Sequence, residues 1–194
     1  MYIPAPDSHK GQNGRLLVIG GSHLFHAASL WALTVASRIV DLVHYCSVPE
    51  NNEIVKRAKE EFRNGIVVSR RDVENYIEED DCILIGPGMT RDGETETLTN
   101  SLLKKYPHKQ WVIDAGALQM MDVSLIPKNA ILTPHHGEFE SLSLRAKPLA
   151  VIARNEVTKQ SLLMTSRDKL RNLNHQGIAA SPAAPRNDTD AVGW

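Results

Sequence analysis

Two adjacent histidines, a glycine and a glutamate stand at His135, His136, Gly137 and Glu138, between the strand-like Ile131-Leu132-Thr133 and the amphipathic Phe139–Leu142. Imidazole and carboxylate this close together can move a proton or donate to a substrate. Pro134 stops the strand, and Gly137-Glu138 opens the helix. Thr133 or His135 can satisfy the first N–H groups of that helix, and Glu138 suits the positive end of its dipole. A metal site from His135, His136 and Glu138 is a poor reading, because adjacent residues do not readily point into one coordination sphere. A histidine at the end of a strand is better placed to hydrogen-bond a substrate.

Three earlier segments also put unusual residues where a strand ends. In Val112–Gln119, Asp114 ends a strand and could hold a ribose hydroxyl or a hydrated magnesium ion. It could equally be the N-cap of a helix starting near Ala117. Gly86-Pro87-Gly88 is a rigid loop with little side chain, on which a flat or phosphorylated ligand could lie; ordinary turns use the same residues. Gly20-Gly21-Ser22 precedes an almost uncharged helix from about Ala27. Glycines there let backbone approach a ligand, and the helix start offers free N–H groups to an anion. The bland alternative is a tight turn into a buried helix. No Gly-x-Gly-x-x-Gly fingerprint and no Gly-Lys-Ser/Thr is present at this turn.

The elements that must position these residues are legible as short apolar runs at 15–20, 42–48, 65–69, 82–86, 111–115 and 130–133. Such runs suit a parallel sheet covered on both faces. Helical patterns lie between them. Ile54, Val55, Ala58 and Phe62 make one stripe, with Asn51 or Asn52 as its N-cap. Strands alternating with helices predict an α/β fold with right-handed crossovers and ligands outside the strand carboxyl ends.

Bulk numbers narrow the function. With 22 basic and 23 acidic residues among 194, charge gives no reason to expect nucleic acid or an anionic membrane as partner. The longest charge-free apolar stretch, 24–37, is too short to span a bilayer and suits a helix packed inside the protein. The opening residues are polar and rich in Pro and Gly, unlike a signal peptide. Cys46 and Cys82 are isolated in apolar runs and read as small buried hydrophobes in a reducing compartment. The expectation is a cytoplasmic protein.

In this order the segments resemble the ADP/ATP-dependent NAD(P)H-hydrate dehydratases, a branch of the ribokinase-like fold. The matching residues are His9-Lys10-Gly11-Gln12-Asn13-Gly14, Gly20-Gly21-Ser22, His26-Ala27-Ala28, Gly86-Pro87-Gly88, Asp114-Ala115-Gly116-Ala117-Leu118 and Thr133-Pro134-His135-His136-Gly137-Glu138. His26 departs from the glycine usual in that family. The resemblance implies a three-layer α/β/α domain over residues 1–145 and repair of the hydrated cofactors NADHX and NADPHX. ATP or ADP, with Mg2+, would convert the C6 hydroxyl into a phosphate that can leave. It further implies Ala27, Gly88 and His135 against the hydrated cofactor. Lys10, Gly21, Ser22, Gly86, Asp114 and Glu138 would support the pocket. Relatives are homo-oligomers.

The family continues with a Gly-Thr-Gly-Asp turn that supplies the nucleotide anion hole and the base. Only Gly177 and Gly193 follow Gly137 here, so no catalytic base is assigned. Residues 146–194 have one aromatic, Trp194, and lose the periodicity of the rest. They read as a tail outside the family, with one helix and then a disordered end. An insertion or frameshift in place of the second half of the domain accounts for this texture. The expectation is a dehydratase by family whose nucleotide wall is missing and whose sheet has an uncovered edge. The alternatives are a vitamin-precursor kinase of the same superfamily and a non-catalytic nucleotide-binding remnant.

Overall fold

A computed structural model of the chain describes residues 4–58, 60, 61 and 63–146. These belong to the unit Met1–Lys147. Each apolar run becomes a strand: β1 (Arg15–Ile19), β2 (Leu42–Cys46), β3 (Gly65–Val68), β4 (Cys82–Ile85), β5 (Gln110–Ile113) and β6 (Ile131–Leu132). They form one parallel sheet in the order β3-β2-β1-β4-β5-β6. The helices between and after them are α1 (Ala27–Ala36), α2 (Pro49–Arg57), α3 (Val73–Glu79), α4 (Gly93–Lys105), α5 (Ala115–Met120) and α6 (His136–Arg145).

Successive strand side chains point to opposite faces, and two cores result. Leu17, Ile19, Ile83, Ile85, Trp111 and Ile113 pack with α3, α4 and α5. Val18, Val43 and Tyr45 pack with α1 and α2. The expected three layers are therefore present. On the α1–α2 face, Leu84 and Val112 are only half-buried, so the cover over β4 and β5 is incomplete among the described residues. At two residues, β6 is the edge of the described sheet, and Ile131 is 54% exposed. Cys46 lies in the core and Cys82 is half-buried; both are free thiols. Burial, which penalises the thiolate, pushes the Cys46 thiol up to about 11.

Two local expectations need correction. The 24–37 stretch does not form a buried helix. Only Ser29, Leu33 and Ala36 of α1 are buried, while Trp31 is 71% exposed and Val35 58%. A helix laid on a sheet covers one stripe, and nothing described covers the other side of α1. Likewise Asn51 and Asn52 do not cap α2. Pro49 takes its first turn, where its fixed φ and missing N–H cost nothing, so the cap moves back to Val48. Asn51, Asn52 and Val55 form the buried face and Ile54 is 43% exposed. Phe62 and the helix expected in the tail lie outside the described residues. Among those residues no helix is long and apolar enough to cross a membrane.

Candidate active site at the strand carboxyl ends

Parallel pairing brings the strand ends into line. Val68, Cys46, Ile19, Ile85, Ile113 and Leu132 stand side by side in adjoining strands. The next residues are therefore Ser69, Ser47, Gly20, Gly86, Asp114 and Thr133. The ladder continues through them: Gly20 N–H donates to Cys46 O at 3.1 Å, Gly86 to Ile19 at 3.0 Å, Asp114 to Ile85 at 2.9 Å and Thr133 to Ile113 at 3.2 Å. The order of the strands reverses between β1 and β4, the switch point at which sheets of this kind open a crevice.

The two glycine loops meet at that point. Gly21 N–H donates to Pro87 O at 2.7 Å. Gly21 and Gly88 both have φ 74°, a left-handed conformation that favours glycine. A Cβ on Gly88 would stand 3.3 Å from Gly21 Cα and 3.0 Å from Phe25 O. Phe25 O in turn accepts from Ser22 N–H at 2.8 Å. Two residues further on, exposed Ala27 opens α1. Behind Gly21 lies a buried polar layer. Asn51 Nδ2 donates to Ser47 Oγ at 3.0 Å and to Ser22 O at 3.3 Å. Asn52 Oδ1 accepts from Ser47 N–H, and its Nδ2 donates to Val68 O. These amides tie together the loops after β1, β2 and β3, which explains why two asparagines are buried.

The β4 and β5 loops also touch, backbone to backbone. A Cβ on Gly86 would lie 1.8 Å from Asp114 O, and one on Gly116 2.3 Å from Met89 O. Ala115 adopts φ 41°, alone in positive φ among the described non-glycine residues. Asp114 occupies the N-cap position of α5 without a side-chain cap bond. Its Oδ1 instead accepts from Thr133 Oγ1 at 2.7 Å, linking the ends of β5 and β6.

His135 is the N-cap of α6. Its Nδ1 accepts from Gly137 N–H at 3.1 Å and from Glu138 N–H at 3.4 Å. Glu138 Oε2 accepts from His135 N–H at 3.0 Å, closing a capping box. Because Nδ1 accepts, the neutral ring carries its proton on Nε2, the nitrogen left to donate. That nitrogen is 3.5 Å from Glu138 Oε1 and the imidazole is 69% exposed, whereas Glu138 is 7% exposed. Gln119 Nε2 donates to Glu138 Oε1. Arg145 holds α6 onto α5 by donating to Gln119 O, Met121 O and Leu118 O. Gln119 and Arg145 carry no signal in the sequence, because each acts through a partner about 19 to 27 residues away.

Gly21, Ser22, Ala27, Gly86, Gly88, Asp114, His135 and Glu138 thus fall along one edge, at the ends of four neighbouring strands. Lys10 does not join them. Gly11 N–H and Asn13 N–H donate to Asp41 Oδ2 just before β2, so this loop sits where the strands start. The five residues of β1, roughly 16 Å of strand, separate it from the crevice. At the crevice, a hollow of about 50 Å³ is lined by Gly21, Ser22, Val48, Arg70, Met89 and Thr90, among others. A larger recess of about 450 Å³ lies instead near the strand starts, against Leu103, Pro107, Leu125 and Ile126. None of the crevice residues lines it. Among the described residues no group of three or more His, Cys, Asp or Glu side chains is arranged to hold a metal ion.

Fold and site together define an α/β protein with a glycine-walled crevice at the switch point of a parallel sheet. A sequence profile of the NAD(P)H-hydrate dehydratases matches residues 16–174, and the chain belongs to that family. It is 37% identical over 147 residues to the bifunctional NAD(P)H-hydrate repair enzyme of Methanocaldococcus jannaschii, an alignment covering 71% of this chain and 29% of that protein. The ATP-dependent (S)-NAD(P)H-hydrate dehydratase of Bos taurus is 31% identical over 146 residues, 70% of this chain and 44% of the bovine protein. A ribokinase-like superfamily protein of Enterococcus faecalis superposes with TM-score 0.64 at 22% identity, covering 82% of this chain and 58% of that one; it shows the fold. The chain thus spans less than half the length of these two curated relatives.

Proposed function

We propose that the crevice receives hydrated nicotinamide cofactor, NADHX or NADPHX, and that its activity is nucleotide-dependent dehydration back to NADH or NADPH. The observation that carries this reading is the common edge formed by Gly21, Gly88, Asp114 and His135 in a member of the dehydratase family. Backbone at Gly21 and Gly88 leaves a flat surface for the ring and its ribose. Ala27 closes one side with a single methyl. His135, fixed through Nδ1, donates from Nε2 to the hydroxyl or amide of the ligand, and Glu138 holds the imidazole in that orientation.

The chemistry needs a better leaving group than hydroxide. Transfer of a phosphoryl group from ATP or ADP to the C6 oxygen provides one. The C6–O bond then breaks with the electron pair leaving on phosphate, a proton leaves C5, and the dihydropyridine is restored. ATP dependence is stated in the name of the bovine relative. The 194 residues hold no Gly-Thr-Gly-Asp turn. We therefore assign residues 4–146 the binding of the hydrated cofactor and expect low turnover by this chain alone. Its free thiols suit the cytoplasm.

The test is direct. The purified chain is titrated with NADPHX and followed by calorimetry, and turnover with ATP or ADP is followed at the dihydronicotinamide absorbance. Binding with little or no turnover is the expected result. Absence of binding at millimolar NADPHX would remove the assignment.

A further inference from the structure

We propose that Arg70 is the oxyanion-binding residue of the crevice, taking a phosphate group at the hollow between the loops after β1, β3 and β4. This rests on the reading of the crevice as a phosphorylated-ligand site and assigns the group that meets the phosphate.

Arg70 is two residues past the end of β3, in a turn that gives it little freedom. Ser69 Oγ donates to Asp72 Oδ2 at 2.6 Å, and Asp72 N–H returns to Ser69 O at 3.1 Å. The side chain lines the hollow beside Gly21, Ser22, Val48 and Met89. Its field reaches the end of β2, where it opposes the rise of the Cys46 thiol. Nε of Arg70 is shielded from solvent and has no hydrogen-bond partner. No ion pair among the described residues involves it. Arg15 also has an unpartnered Nε, but its Nη2 finds Asp81 at 3.9 Å. A shielded guanidinium N–H left unsatisfied costs free energy, which an ordered water or a bound ion removes.

The room suits one phosphate group: about 50 Å³ against the roughly 10–15 Å³ that one water needs. Val48, on the wall, is the N-cap residue of the nine-residue α2 and makes no side-chain cap bond, so the positive end of that helix begins beside the hollow. Asp92, Glu94 and His23 also line the hollow. Asp92 is committed to its own helix, accepting from Thr95 N–H and from the Thr90 hydroxyl. Those bonds hold its carboxyl below the usual range, that from Thr90 most strongly. His23 is paired with Glu50 at 3.2 Å. Glu94 is exposed at the rim. Arg70 is left as the cation available to an incoming anion.

A phosphate can come from the dinucleotide or from the nucleotide, and titrations of wild type, Arg70→Gln and Arg70→Lys with NADPH and separately with ATP tell the two apart. Loss of about tenfold or more in NADPH affinity in Arg70→Gln, with ATP little changed, is the expected result and places the dinucleotide phosphate at Arg70. The same loss for ATP alone supports the oxyanion site and gives it to the phosphoryl donor. Wild-type binding of NADPH with neither affinity altered in the variants overturns the Arg70 proposal and leaves the crevice reading standing. Wild type that binds neither probe overturns the Arg70 proposal, and the crevice reading is then judged by the NADPHX titration. Circular dichroism checks the fold of each variant. Arg70→Lys keeps the charge, so it decides the matter if the Gln variant is unfolded; it should lose at least threefold through the missing planar fork.

Discussion

Gly21 and Pro87 are joined by a 2.7 Å hydrogen bond from the N–H of the first to the carbonyl of the second. That bond makes the loops ending β1 and β4 a single wall across the switch point. The wall tolerates no side chain at Gly21: φ is 74°, and a Cβ would stand 2.4 Å from Asn51 Nδ2 and 2.6 Å from Ser47 Oγ. Gly21→Ala therefore strains the backbone by about 1–2 kcal/mol and also disrupts the amide layer behind it. Gly93, at the exposed start of α4, has no positive φ, and a Cβ there would meet nothing within 4 Å. Gly93→Ala should be neutral or gain about 0.4–1 kcal/mol. Chemical denaturation of the two variants checks the pair; equal stability would contradict the packed wall.

His135 carries two functions on one ring, and they can be separated. Nδ1 caps α6, while Nε2 of the largely exposed ring, 3.5 Å from Glu138 Oε1, is the nitrogen left to donate. Asparagine is a good N-cap that has no Nε2–H. His135→Asn should keep stability within about 0.5 kcal/mol and weaken NADPHX binding by about tenfold. His135→Ala should weaken binding and also lose about 1 kcal/mol of stability. Calorimetric titration alongside urea unfolding distinguishes the two; unchanged binding in the Asn variant would reduce His135 to a cap.

What the sequence reveals follows from the range of the forces involved. All six described strands are legible because a two-faced strand is apolar at nearly every position, as in Leu16–Ile19 and Cys82–Ile85. The glycine loops and His135 are legible because sharp turns and caps depend on adjacent residues. Lys10 is misplaced by motif alone although the signal is present: residues before a parallel strand enter at its amino end, opposite the crevice. Asn51 and Asn52 look like caps by type, yet Pro49 displaces them and their amides serve Ser47, Ser22 and Val68. Arg70 gives no sign at all, since its significance lies in what surrounds it.

The loop carrying Lys10 has a pH dependence of its own. Asp41 Oδ2 accepts from Gly11 N–H, Asn13 N–H and Asn13 Nδ2. These bonds, the Asn13 backbone one foremost, hold the Asp41 carboxyl below the usual carboxylate range. A carboxyl depressed in the folded state adds stability above its unfolded value and loses it as pH falls through the folded value. The loop should therefore stay closed at pH 5 and loosen below about pH 3.8. Amide exchange at Gly11 and Asn13 reads this, and Asp41→Asn should show the fast exchange already at pH 7.

Between β2 and α3, His44 Nδ1 lies 2.9 Å from both oxygens of Asp80, with the two side chains 4% and 0% exposed. Tyr76 packs on the imidazole, ring centroids 4.5 Å apart. Lys109 donates to the Asp80 carbonyl at 3.1 Å, so the backbone is held whatever becomes of the carboxyl. His44→Leu strands a buried carboxyl group without its partner, at a cost of roughly 1–3 kcal/mol or more. Asp80→Leu strands the imidazole in the same way. The double variant removes both needs at once and should be less destabilised than the sum of the singles. A double-mutant cycle in urea measures that difference; strict additivity would mean that the two side chains are neighbours without an energetic bond.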